Sequence, residues 1–199
     1  MIIISSPISE PNEINLINSL FQEGMELFHV RKPDFTAEEI QSFVTAIGLE
    51  YRKQLVLQSH HHLAKALGIH RIHFMESSRI TQKESELKRY KESGLILSTS
   101  VHSIDDFNDL QNDFDYAFLS PVYESISKQN YKPKTDLFEQ INKRTNHTTK
   151  LIALGGISDE NIKFILTNGF HDVALLGTIW NQNNSIENFK ICQKIALSC

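Results

Sequence analysis

Eight short apolar runs punctuate the chain: "IIIS" at 2–5, "MELFHV" at 25–30, "QLVL" at 54–57, "RIHF" at 71–74, "LILS" at 95–98, "DYAFLS" at 115–120, "KLIAL" at 150–154 and "DVALL" at 172–176. The runs are continuous rather than alternating, as expected of parallel strands buried on both faces. Between them lie segments with helical spacing. Ile14, Ile17, Leu20 and Phe21 recur at three and four residues. So do Ile40, Phe43, Val44 and Ile47, which follow a capping box with Thr36 as N-cap and Glu39 three residues on. "SDENIKFILTNG" opens with a Ser158 cap and closes on Gly169, and "SIENFKICQKIAL" supplies the last amphipathic stretch. Eight strands with eight intervening or closing helices predict an α/β fold, a single-domain (β/α)8 TIM barrel over residues 1–199. The length is at the small end for that fold. An open doubly wound sheet is the rival, but it more usually has about six strands. No linker or repeat beyond the strand–helix period interrupts the pattern, and "NKRTNHTTK" at 142–150 reads as a polar surface loop.

Composition narrows the class. Apolar residues make up 40% of the 199 and charged residues 22%, enough to bury an ordinary globular core. A net charge of −4 gives no broad attraction to nucleic acid or to anionic membranes. Both cysteines, Cys192 and Cys199, fall in the last eight residues, so no disulfide framework is expected. No apolar stretch has the length of a membrane span, and the opening residues lack the charged and hydrophobic regions of a signal peptide. The expectation is a cytoplasmic protein with no nucleic-acid or membrane partner.

In a barrel, chemistry collects at the C-terminal ends of the strands. Those ends are polar here. The second run ends in His29, Arg31 and Lys32, the third in Gln58, Ser59 and three histidines, and the fifth in Ser100 and His102. The sixth gives "SPVYESISK", from Ser120 to Lys128. The seventh gives Gly155 and Gly156, and the eighth Gly177 and Thr178. Glycines at the last two strand ends let backbone N–H groups approach an anion closely, which marks them as a phosphate site. Arg31 can pair bidentately with phosphate, and Lys128 offers a movable point charge, though in a long loop it equally suits plain solvation.

The histidine run raises the question of a metal. Consecutive side chains on a strand or helix point in different directions and make a poor cage, so no metal site is expected from His60, His61 and His62.

These segments resemble the thiamine phosphate synthase and TenI-type thiazole tautomerase superfamily over nearly the whole chain. "FHVRKP" sits where that family has a Q-x-R-x-K strand end, and "LVLQSHHHLAKALGIHRIHF" where it has "INDxxDLALxLGADGVHLGQ". "LSTSVHS" corresponds to G-x-S-x-H-[ST] and "LSPVYESISK" to "GPxFPTxTK". "LIALGGISDENI" and "GFHDVALLGTIW" correspond to its phosphate-binding segments. The resemblance implies that Gly155, Gly156, Gly177 and Thr178 hold a thiazole phosphate. It implies that Ser125 and Ser127 are the loop hydroxyls, that Lys128 faces a pyrophosphate, and that Ser100 and Arg31 contact a pyrimidine diphosphate. The implied partners are small phosphorylated thiazole and pyrimidine molecules; homo-oligomerisation stays open. The implied reaction joins hydroxymethylpyrimidine diphosphate to thiazole phosphate and releases pyrophosphate.

Two departures matter. The synthases carry an Asn-Asp pair after strand three and a further Asp after strand four, whose carboxylates ligate Mg²⁺; here Gln58, Ser59 and Ser78 stand there, with Glu76 nearby. Mg²⁺ is thus implied only for an active synthase, and no cofactor is certain. The motif lysine of strand two is replaced by Pro33, with Lys32 displaced by one residue and aimed elsewhere. The tautomerases carry a catalytic His where Ser120 stands, so a proton shuttle would have to come from His29, His60, His62 or His102, with His29 or His62 favoured. His61 and His73 read as packing residues. A thiamine phosphate synthase is the leading reading, and a TenI-like isomerase or a non-catalytic binder of thiamine phosphate or its precursors are the alternatives. An unrelated phosphate-binding barrel isomerase is disfavoured because no strand-end carboxylate pair is present.

Overall fold

The structure, a computed structural model, describes residues 1–110, 113–124, 137–181 and 183–199. Eight parallel strands close into a barrel in sequential order. They are β1 (Ile2–Ile4), β2 (Leu27–Val30), β3 (Leu55–Leu57), β4 (Arg71–Phe74), β5 (Ile96–Val101), β6 (Tyr116–Leu119), β7 (Lys150–Leu154) and β8 (Asp172–Leu175). Closure is made by β1, which pairs with β2 through Ile2 and Leu27 and with β8 through Ile2 and Ala174. The expected barrel is the observed one.

Helices cover the outside: α1 (Glu13–Gln22), α2 (Ala37–Ala46), α3 (Glu76–Thr81), α4 (Glu84–Glu92), α5 (Ile104–Asn108), α6 (Leu137–Ile141), α7 (Ile162–Thr167), α8 (Gly177–Trp180) and α9 (Ser185–Ala196). The capping box of α2 forms as expected: the Glu39 amide donates to Thr36 Oγ1 at 3.2 Å, and the Thr36 amide donates to Glu39 Oε2 at 2.7 Å. Among the described residues, no helix is long and apolar enough to cross a membrane.

Period two along each strand divides the side chains. Ile3, Phe28, Val30, Ala117 and Leu119 face outward into the large core beneath the helices. Ile2, Ile4, Tyr116, Phe118, Ile152 and Ala174 form a smaller cluster inside the barrel. That interior cluster is partial, because His29 of β2, His73 of β4 and Ser98 of β5 occupy other buried positions of the barrel.

Two local expectations are corrected. The β3–β4 connection holds no α-helix, only a short 3₁₀ turn, His61–Leu63. His60 at φ 50° and Gly68 at φ 68°, both left-handed, bracket this connection and break helical geometry at its two ends. Ser158 does not cap α7. The helix starts later, with Asn161 as its N-cap residue, and Asn161 Oδ1 instead accepts from the Ser158 amide at 3.0 Å, closing a turn before the helix.

Candidate active site

A cavity of about 590 Å³ opens at the C-terminal end of the barrel. Its lining includes Arg31, Gln58, Ser100, His102, Ser120, Gly155, Gly156 and Gly177 from the sequence reading, beside Trp180, Phe118, Met75 and Glu76. The volume falls in the usual range for small-molecule sites.

Arg31 follows β2 directly. Its backbone is clamped by Ser5, whose Oγ accepts from the Arg31 amide at 2.8 Å and donates to the Arg31 carbonyl at 3.0 Å. Burial lowers its guanidinium pKa from the ordinary value, which still leaves it charged. It has no ion-pair partner among the described residues. A half-buried, unpaired cation on a cavity wall is a place for an anion. Lys32 faces away from that wall: its fully buried ammonium pairs with Glu13 of α1 at 2.7 Å and donates to the Ile8 carbonyl at 2.6 Å.

The glycine turn after β7 lies on the opposite sequence half. Gly155 and Gly156 have φ of 99° and 67°, where L side chains are strained. A Cβ on Gly155 would meet Pro121 Cα at 2.9 Å, and one on Gly156 would meet the Glu124 carbonyl oxygen and Tyr123 Cβ. Close packing of the 121–124 segment is thus a second reason for glycine here, besides ligand approach. The amides of Gly156 and Gly177 have no acceptor among the described residues. Thr178 differs from its expected role, since its buried hydroxyl donates to the Ile157 carbonyl and ties α8 to the glycine turn rather than lining the cavity.

His102 and Glu76 face each other on the cavity wall, His102 Nε2 lying 3.7 Å from Glu76 Oε2. His102 Nδ1 is 2.6 Å from the Ser120 carbonyl oxygen, which can only accept, so Nδ1 carries a proton. Nε2 is then the nitrogen free to exchange a proton in the cavity.

The two histidines favoured from sequence lie elsewhere. His29 is fully buried inside the barrel below the cavity, because the inward phase of β2 puts it one layer beneath Arg31. His62 is exposed on the 3₁₀ turn and does not line the cavity. His60 Nε2 bonds the Phe35 carbonyl at 2.8 Å, and His61 Nε2 the His73 carbonyl at 3.0 Å. The run is a set of loop fasteners. Ser125, Ser127 and Lys128 lie outside the described residues. Sequence reading missed Trp180, whose indole donates to the Ile4 carbonyl at 2.7 Å; its place just after the Gly177 turn was the available signal.

The residues at the implied Mg²⁺ corner do not fit that ion. Gln58 turns its amide to His29, Ser78 Oγ donates to the Met75 carbonyl at 2.8 Å, and Glu76 faces Arg79 and His102. Ser59 Oγ is buried without a partner, a single neutral oxygen where a hard dication needs several, carboxylates among them. Among the described residues no group of three or more His, Cys, Asp or Glu could hold a metal.

Comparison with known proteins agrees with this layout. A thiamine-phosphate synthase of Haemophilus influenzae (strain PittGG) is 25% identical over 184 residues, covering 87% of this chain and 80% of that protein. The crystal structure of a thiamine phosphate pyrophosphorylase from Bacteroides thetaiotaomicron superposes with a TM-score of 0.78 at 28% identity, covering 98% of this chain and 96% of that one. A thiamine phosphate pyrophosphorylase from Pyrococcus furiosus shares the fold, with a TM-score of 0.81 at 15% identity over 99% and 95% of the two chains. The family model described as thiamine monophosphate synthase matches residues 1–179, and the chain belongs to that family.

Proposed function

We propose that the protein is a thiamine phosphate synthase-type transferase, which joins hydroxymethylpyrimidine diphosphate to thiazole phosphate. One observation carries this reading: a single cavity is lined both by an unpaired, half-buried guanidinium at Arg31 and by the Gly155–Gly156 turn. Two separate places for anions suit two phosphorylated substrates better than one monophosphate.

In the reaction the bond between the pyrimidine methylene carbon and the diphosphate oxygen breaks, and its electron pair leaves with pyrophosphate. The thiazole nitrogen supplies the pair for the new C–N bond. The protein's part is electrostatic. Arg31 faces charge that grows on the leaving oxygen, in a wall fixed beforehand by Ser5. Lys128, by the resemblance, supplies a second cation. Phe118 and Met75 give the cavity apolar surface, where such interactions are stronger than in water.

Arg31→Gln keeps hydrogen-bonding capacity but removes the charge. It should lower the coupling rate by roughly 10²–10³, while thiazole phosphate affinity stays within about twofold. Rates of pyrophosphate release beside equilibrium binding of thiazole phosphate check this. An unchanged coupling rate would remove Arg31 from the reaction.

A second reading, a thiazole phosphate tautomerase, is supported by the facing of His102 Nε2 and Glu76. That pair offers a proton carrier on the cavity wall, beside the Ser120 position. His102→Gln should abolish isomerisation if that is the reaction, and leave coupling within about tenfold if it is not.

A further inference from the structure

Side chains on the inward phase of this fold are usually branched and apolar. The lowest layer of this barrel departs from that habit. Arg71 and Lys150 lie two residues before His73 and Ile152, so they share the inward phase at the N-terminal ends of β4 and β7. Both line a second cavity, of about 490 Å³, at the end of the barrel opposite the candidate active site. Tyr116, the register partner of Lys150, lines it as well, and Ile2, Leu27 and Ile152 add apolar surface.

The positive charges there are only partly answered. Neither Arg71 nor Lys150 forms an ion pair among the described residues. Arg71 is half-buried, and its charge acts on Tyr116 and on His29 in the barrel above it. Two acids line the same cavity. Asp172 is held by the Met1 ammonium at 2.9 Å and by the Val173 amide at 2.8 Å. Glu26 is exposed and pairs with neither cation. His171 adds to the basic side. The Leu151 amide donates to its Nδ1 at 3.1 Å, so the neutral ring carries its proton on Nε2. Burial, and then the charges of Arg144, Lys150 and His147, lower its pKa from the ordinary value.

We propose that this cavity binds a small phosphomonoester, with its dianion held between Arg71 and Lys150 and its apolar part against Ile2, Leu27 and Ile152. An inward guanidinium without a counter-charge is already partly desolvated, so it gains more from an anion than a fully solvated surface cation does. Its planar fork suits two phosphate oxygens, while Lys150 adds a movable point charge. The chemistry of the barrel lies at the opposite end, so this occupant is not a reactant there. The proposal therefore does not rest on the synthase reading.

Phenyl phosphate is the probe, titrated at fixed pH into histidine-labelled full-length protein, with the His171 ring signal assigned through His171→Gln. In wild type that signal should move saturably, with a dissociation constant of about 1 mM or tighter. Arg71→Met and Lys150→Met should each weaken binding at least about tenfold. Arg31→Gln, at the far end of the barrel, should leave it within about twofold. Phenol, which lacks the phosphate, should not move the signal over the same range. No saturation by about 10 mM overturns the site, as does an equal response to phenol. Binding unchanged in Arg71→Met also overturns it. If that variant does not fold, Lys150→Met decides in its place, since Lys150 is exposed and its loss leaves the core intact. A response lost in Arg31→Gln overturns it too, because the anion would then be acting from the other cavity.

Discussion

His73 stays neutral to acidic pH because its ring is sealed inside the barrel between Ser98 and Ser100. An unfolded chain protonates histidine at about 6.5, whereas the folded protein does so only at about 3. Between those values the unfolded state binds more protons, so folding stability falls as pH falls. Going from pH 7 to pH 5 should cost about 2 kcal/mol from His73 alone, with His29 adding loss of the same sign. Urea denaturation at the two pH values measures it, and His73→Gln should remove that share of the pH slope. The same residues show what was hidden in the sequence. The presence of polar groups at the strand ends was legible; their depth was not. His29 and Arg31 share one inward phase, and only the register of β2 against β1 puts Arg31 at the rim and His29 beneath it.

Elements are fastened by contacts of unequal legibility. The capping box of α2 is local and could be read from four residues. The Lys32–Glu13 pair joins α1 to the end of β2 across nineteen positions, and no spacing rule announces it. The ammonium also sits over the rings of Phe35 and Phe43, at 5.5 and 5.1 Å. Glu13→Gln would leave it buried without its counter-charge, a loss of about 3 kcal/mol or more. Replacing both residues, as Glu13→Leu with Lys32→Met, should be far milder than that single change, and chemical denaturation of the two variants checks the order. The glycine turn after β7 carries a similar double load. Gly156→Ala meets left-handed strain of roughly 1–3 kcal/mol and the Glu124 carbonyl together. Thiazole phosphate affinity should fall at least tenfold, about 1.4 kcal/mol. Calorimetric titration of the folded variant reads it, and unchanged affinity would take the phosphate away from this turn.

Over the whole molecule, the barrel was legible because continuous apolar runs of strand length repeat eight times, separated by stretches with helical spacing. The cavity was legible as a list of strand-end residues, and Arg31, Gln58, Ser100, His102, Ser120, Gly155, Gly156 and Gly177 do line one space. The polar interior was not, since it depends on which face of each strand turns inward around a closed sheet. The central claim is that this cavity joins two phosphorylated substrates. Phosphorus-31 spectra of the wild-type protein with hydroxymethylpyrimidine diphosphate and thiazole phosphate, with and without added Mg²⁺, measure it directly. The expected result is pyrophosphate and thiamine phosphate growing together in equal amounts, with neither formed when one substrate is left out. Both substrates unchanged at every Mg²⁺ concentration would contradict it.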